Sequence, residues 1–270
     1  MLCPLLFMES AVKKEALRQQ DSLIFEGMTS LNAIYHSHSR EILRIWADRS
    51  KKDSKRREFS FISKICAENN IPFELCDPEH IESIATGTSH GGIIFECGER
   101  RIPSVKEINF DEETDGINGF YVMIEGIEDP YNFGYALRSL YAAGVSGVIL
   151  SPRNWMSAAG VVCRSSAGAS EKLRMFIGDA EDTVDIFRNN GFKVICAGIR
   201  DSVSSWECDM TPPVLLIVGG EKRGISSKVL GLADSVVRLD YGRDYNGSLS
   251  AASAASILAY EVLRQTRSPK

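Results

Sequence analysis

The chain has 270 residues, a formal net charge of −5, 44% hydrophobic and 25% charged residues. That length allows a sizeable core in one or two domains, and the composition is that of a globular protein. No apolar run reaches the roughly 18 residues of a membrane span, and the acidic balance excludes an overall basic footprint for nucleic acid, so any such surface must be local.

The opening MLCPLLFM has no preceding basic segment and is soon followed by Glu9, Lys13, Lys14 and Glu15, a poor secretory signal; a cytoplasmic protein is expected. The seven cysteines, Cys3, Cys66, Cys76, Cys97, Cys163, Cys196 and Cys208, are odd in number and form no C-x-x-C pair. This argues against a disulfide framework and a structural zinc site. Reduced, packed thiols and no bound metal are expected.

Residues 20–100 alternate short helical and strand-like pieces, SLIFEGMTSLNAIYHS, EILRIWAD, the period-3.6 segment FISKICAENN, IPFELCD and HGGIIFECG, which predicts a small α/β domain. Within it the run RSKKDSKRR, Arg49 to Arg57, reads equally as a solvated charged loop and as a phosphate-contacting patch. Residues 101–117 are polar and without period, with Pro103, the acidic run Asp111 to Glu113 and two nearby glycines, and are predicted to be a linker.

From 118 to 270 the pattern becomes apolar strands each followed by a helix: YVMIEGI, GVIL, FKVICAGI, VLLIVGG and SVVRLD. Continuous apolar strands alternating with helices predict a parallel sheet covered on both faces, whose ligands sit at the carboxyl ends of the strands.

Three such ends carry unusual residues. In IEGIEDPYNFGYALRSLYAAG, Asn132 closes the loop and Arg138 lies on a helix read from about Gly134 to Ala143. A guanidinium fork suits phosphate or carboxylate, whereas the plain alternative is an N-cap Asn and an exposed helical Arg. In LLIVGGEKRGIS, Gly219, Gly220, Glu221 and Gly224 precede a helix capped by Ser226 or Ser227; glycines let backbone amides approach a ligand, or simply make a tight turn. In RLDYGRDYNGSLSAASAASILAYEVLRQ, a polar loop leads into a helix with Ala251, Ala252, Ala254 and Ala255, which admits close approach of a flat ligand or another backbone, or packs in the core. A nucleotide-dependent enzyme on a dinucleotide-binding sheet is disfavoured, because no G-x-G-x-x-G is present.

The order N-x-x-x-x-x-R, G-x-E-x-x-G, S-L-x-x-x-x-A-A-x-I over about Gly119 to Gln265 resembles the three motifs of the TrmH-like (SpoU) methyltransferases of the SPOUT superfamily, and FEGMTSLNAI, IPFELCD and SHGGIIF resemble that family's substrate-binding domain. The resemblance implies S-adenosylmethionine as methyl donor, a ribose 2′-hydroxyl of structured RNA, rRNA or tRNA, as acceptor, a homodimer, and an α/β fold with a deep trefoil knot in its C-terminal sheet, an exception to un-knotted topology. It implies catalytic roles for Asn132, Arg138, Glu221 and Ser248, and cofactor contacts at Ala197, Gly198, Ile199, Gly219, Gly224, Leu239, Ser248 and Leu249. Where the family's third motif reads S-L-N-x-S, this chain has Ser250 and Ala252, with Asn246 two positions before Ser248. That departure motivates the alternative reading, an RNA-binding protein of the same fold that has lost efficient methyl transfer.

Overall fold

The computed structural model describes residues 22–113, 116–152, 158–220 and 224–267. The chain falls into two units, Met1–Arg101 with Met156–Arg164, and Ile102–Trp155 with Ser165–Lys270.

In the first unit, strands β1 (Leu23–Glu26), β2 (Ile42–Asp48), β3 (Phe73–Cys76) and β4 (Ile93–Cys97) form a sheet in the order β1-β4-β2-β3. Only the β2–β3 pairing is parallel. Helices α1 (Gly27–Ser37), α2 (Arg56–Asn69) and α3 (Pro78–Ile84) complete it. The apolar spacing of α2 turns Phe59, Ile62, Ile65 and Cys66 inward, as a one-faced helix requires. Ile62 and Ile65 join Phe25, Leu31, Ile34, Ile45 and Phe95 in one core.

In the second unit, β5 (Ile117–Ile124), β6 (Val145–Leu150), β7 (Met175–Ile177), β8 (Lys193–Ala197), β9 (Val203–Ser204), β10 (Val214–Val218) and β11 (Ser235–Arg238) make a seven-stranded sheet ordered β7-β6-β5-β10-β8-β11-β9. Every pairing in it is parallel. The strands β6 and β10 are buried at every position, because helices cover both faces and no side of the pleat meets water. Those helices are α4 (Pro130–Ala142), α6 (Ala169–Lys172), α7 (Ala180–Asn189), α8 (Ser227–Leu232) and α9 (Ala251–Arg267). The helices α4 and α9 pack against each other, while Val184 and Phe187 of α7 and Val229 of α8 share a core with Tyr121, Met123 and Ile149.

Within the stretch read as a linker, 101–117, residues 104–110 pack on this second unit. Ser104 and Glu107 form a reciprocal cap on a short 3₁₀ turn, Val105–Glu107, whose Val105 is buried. Phe110 meets Tyr121, Phe187 and Phe192 in a cluster with ring centroids 4.9–5.9 Å apart. The apolar residues here have no period because each fills a separate gap of the core. Helix α5 (Ala159–Ser165) lies between β6 and β7 in sequence, yet its Ala159 and Cys163 enter the core of the first unit beside Phe25. Its Arg164 pairs with the buried Glu26, which also accepts from the Thr86 and Gly87 amides.

The six described cysteines are all buried. Burial pushes the Cys66 thiol up to about 11 and that of Cys196 up to about 12, so both stay protonated and behave as small hydrophobes. Cys3 lies outside the described residues. Among the described residues no helix is long and apolar enough to cross a membrane, and no group of three or more His, Cys, Asp or Glu is arranged to hold a metal ion.

Candidate active site

The first of the three predicted loops ends earlier than its sequence implied. Helix α4 starts at Pro130, and Asp129 is its N-cap, accepting from the Tyr131 amide at 3.0 Å. The placement of Asn132 in the loop, and its alternative as the N-cap, are therefore corrected: Pro130 occupies the first helical position, where a missing N–H and a fixed φ cost nothing, and Asn132 lies in the first turn. The Asp-Pro pair was the available signal. Gly134 is buried in this helix, and a Cβ there would collide with Ser165 Oγ and come within 3.0 Å of the Ser166 amide. Only glycine lets α4 sit against that segment, a contact between distant parts of the chain that no sequence pattern announces.

Arg138 is exposed on α4. Its guanidinium has no hydrogen bond or ion pair among the described residues, and none joins it to the half-buried Asn132. Glu221, the third predicted member of this group, lies outside the described residues.

The glycines of the second loop have distinct jobs. A Cβ on Gly219 would approach Gly224 C to 2.5 Å and the Ile225 amide nitrogen to 2.7 Å, whereas one on Gly220 would approach the Gly126 carbonyl oxygen to 2.5 Å. The chain turns back on itself, with the Gly224 amide donating to the Gly220 carbonyl at 3.0 Å. The contact with Gly126 joins this loop to the one that leads into α4. Ser226 caps α8, accepting from the Val229 amide; of the two predicted caps it is the one used.

In the third loop Ser250 explains part of the departure from the family's motif. Its hydroxyl accepts from the Ser253 amide at 3.2 Å at the start of α9, an N-cap role that Ser and Asn perform almost equally well. Ala252 is buried, and Asn246 is exposed without a hydrogen bond among the described residues. The base of the loop is fastened to β9. Asp240 accepts from the Ser204 hydroxyl and pairs with Arg238 at 3.0 Å, while Arg238 donates to the Ser202 carbonyl at 2.6 Å. The Ser204 bond, followed by the Arg238 charge, holds the Asp240 carboxyl below the usual carboxylate range.

Because β10, β8 and β11 are consecutive in the sheet, their carboxyl ends bring Gly219, the Ala197–Gly198–Ile199 segment and Leu239 to one edge. The Gly198 amide donates to the Val237 carbonyl at 2.9 Å, tying two of these ends together. Gly224 lies on the return of the β10 loop, and Ser248 and Leu249 are exposed on the loop between β11 and α9. Ile199 is 69% exposed. This edge therefore offers backbone groups and the apolar side chains of Ile199, Leu239 and Leu249, a donor set suited to a neutral heteroaromatic ligand such as adenosine.

A family model described as SpoU rRNA Methylase family matches residues 119–260, and one described as RNA 2′-O ribose methyltransferase substrate binding matches residues 24–103. Among curated proteins, the mitochondrial rRNA methyltransferase 1 of Schizosaccharomyces pombe is 26% identical over 93% of this chain and 93% of its own. A Staphylococcus saprophyticus protein assigned to the TrmH family of tRNA/rRNA methyltransferases is 30% identical over 78% of this chain and 84% of its own. Among solved structures, an AdoMet-bound rRNA methyltransferase from Sinorhizobium meliloti superposes with a TM-score of 0.73 at 20% identity, covering 94% of this chain and 92% of its own. A SpoU methyltransferase from Streptomyces viridochromogenes in complex with AdoMet gives 0.72 at 19%, over 92% and 91%.

Proposed function

The chain belongs to the SpoU rRNA methylase family, and from that premise we propose that it methylates a ribose 2′-hydroxyl in structured rRNA or tRNA, using S-adenosylmethionine. The observation that carries the reading is the meeting of the motif loops: Gly220 against Gly126, and β10, β8 and β11 side by side. Adenosine would be held by Ala197, Gly198, Ile199, Gly219, Gly224, Leu239, Ser248 and Leu249, whose backbone and apolar groups fit it. When bound, S-adenosylmethionine supplies an electrophilic methyl carbon on a sulfonium.

The chain's own part is positioning and charge. A guanidinium with a pKa above about 12 is a poor base at neutral pH, so Arg138 is assigned to hold the phosphate beside the acceptor and to stabilise negative charge growing on the 2′-oxygen. Among the described residues no side chain pairs with its fork, which is exposed to receive that phosphate. Asn132 and Glu221 are assigned to orient it, and Ser248 to line the acceptor side. Holding the acceptor oxygen in line with the methyl carbon is itself worth a large part of the barrier.

The same reading carries a deep trefoil knot at this edge of the sheet and a homodimer. For the dimer, α4 exposes Tyr131 and Tyr135 at 47% and 53%, and α9 exposes Ile257 and Tyr260 at 47% and 50%. Arg138 continues the stripe of Tyr131 and Tyr135, so a second copy on this face would stand beside it. For RNA capture in the first unit, Lys52, Arg56 and Arg57 are exposed, and Lys52 and Arg57 have no ion pair among the described residues. The proposed location is the cytoplasm; the mitochondrial relative sets the alternative, and cell fractionation separates them.

The test is calorimetry of S-adenosylmethionine on the full chain, with 2′-O-methyl mapping of RNA from cells with and without the gene. Binding, with one or more ribose methylations lost, is expected. RNA binding without cofactor binding would favour the alternative, a degenerate RNA-binding member of the fold.

A further inference from the structure

We propose that Tyr245, braced by Tyr241, is a stacking platform for an unpaired nucleobase beside the acceptor nucleotide, an assignment that rests on the RNA methyltransferase reading and adds residues outside its motifs. The loop between β11 and α9 is exposed over most of its length, and loops of this kind draw chiefly on Gly, Asp, Asn and Ser. Here two tyrosines stand among those residues, 38% and 56% exposed for Tyr241 and Tyr245.

They are held in place. Their ring centroids are 5.6 Å apart at an interplanar angle of 58°, and the Tyr241 hydroxyl accepts from the Leu249 amide at 3.4 Å. The Tyr245 ring lies across Gly247 so closely that a Cβ there would come within 2.9 Å of its Cε1. The loop is pinned at its base through Asp240 and passes straight into Ser248 and Leu249. A ring fixed in this way and left facing water suits a flat aromatic partner. Single-stranded RNA offers one, since bases splayed out of a helix stack on tyrosine faces.

Local charge decides between base and phosphate. The exposed Arg200 and Arg243 share this surface with Asp201, Glu207, Asp240 and Asp244, on segments joined by the Ser204–Asp240 bond. With four of these acids to two bases, the surface gives a phosphate no net attraction, so the contact is with the base and is insensitive to salt.

Fluorescence anisotropy on the full chain tests this with two probes, a fluorescein-labelled adenosine dodecamer and an abasic dodecamer of the same phosphates. Stacking is worth about 1–3 kcal/mol per base, so Tyr245→Ala should weaken binding of the adenosine probe about 5- to 150-fold. It should leave the abasic probe, the salt slope and the calorimetric affinity for S-adenosylmethionine as in wild type, and Tyr245→Phe should retain wild-type binding. The platform is overturned if wild type does not bind the adenosine probe, if Tyr245→Ala binds it as tightly, or if the abasic probe loses as much, which would mean a phosphate contact. A change of mass in light scattering on Tyr245→Ala would assign the surface to a second copy of the chain instead. Failure of wild type to bind S-adenosylmethionine would strike the methyltransferase reading alone and leave the base-stacking comparison standing.

Discussion

At the scale of single residues, Arg138 and Asp240 illustrate two ways a charge is used. Arg138 is exposed and unpartnered among the described residues, so its removal costs the fold little. Arg138→Ala should keep S-adenosylmethionine affinity while lowering methyl transfer about 100- to 1,000-fold, the scale for losing one preorganised charge donor, as read by tritiated-methyl incorporation. Asn132→Ala should cost less, because it only loosens orientation; wild-type activity in Arg138→Ala would return that residue to an ordinary helical position. Asp240 is committed internally. Its carboxyl is held low by Ser204 and then Arg238, and a group whose folded value is depressed stabilises above its unfolded value, about 4, and loses that contribution as pH falls through the folded one. Asp240→Asn should therefore lower Tm at pH 7, and the gap from wild type should close in a melting series carried below about pH 4. A gap that persists unchanged in acid would refute the assignment.

At the scale of elements, the apolar strands were readable because a parallel sheet covered on both faces leaves no polar positions: GVIL and VLLIV announce β6 and β10 directly. The start of α4 was misread because Asn132 looks like a cap, although Asp129 and Pro130 together are the stronger signal. The approach of Gly220 to Gly126 and of Gly134 to Ser165 joins segments far apart in sequence, and no local pattern encodes such pairs. The packing of residues 104–110 is not legible in the sequence for a related reason, since Phe110 gains its meaning from Tyr121, Phe187 and Phe192. Phe187→Ala, which empties the middle of that ring cluster, should cost about 3–5 kcal/mol in urea unfolding, and a loss under 1 kcal/mol would mean that the cluster contributes little. In the first unit, the run from Arg49 to Arg57 divides by partner: Arg49 donates to the Leu75 carbonyl at 2.9 Å, and Lys51 and Lys55 face Asp48 and Glu58 at 3.5 and 3.2 Å. Lys52, Arg56 and Arg57 project outward, Arg56 with only a loose approach to Asp53 at 3.5 Å. Replacing these three by Ala should weaken RNA binding and reduce the salt slope by about one for each phosphate no longer neutralised. An unchanged slope in anisotropy titrations would make them ordinary solvated charges.

At the scale of the molecule, the exposed stripe on α4 and α9 predicts the assembly. Light scattering of the full chain at micromolar concentration should give a dimer, and Tyr135→Glu with Ile257→Glu should give a monomer, since two charges cannot be buried in an apolar contact without partners. A monomeric wild type would remove the second copy from the neighbourhood of Arg138. The passage of α5 into the core of the first unit bears on how such a chain is inherited. That unit is written in two separate places along the gene, so one recombination crossover cannot hand it on intact. A chain ending at Arg101 would carry β1 without the helix whose Gly160 lies against the Ile24 carbonyl, leaving Phe25 without its Ala159 and Cys163 neighbours and Glu26 without Arg164. Exchange of this module between relatives therefore demands two crossovers, or a partner whose own α5 already presents Gly, Cys and Arg at the same spacing.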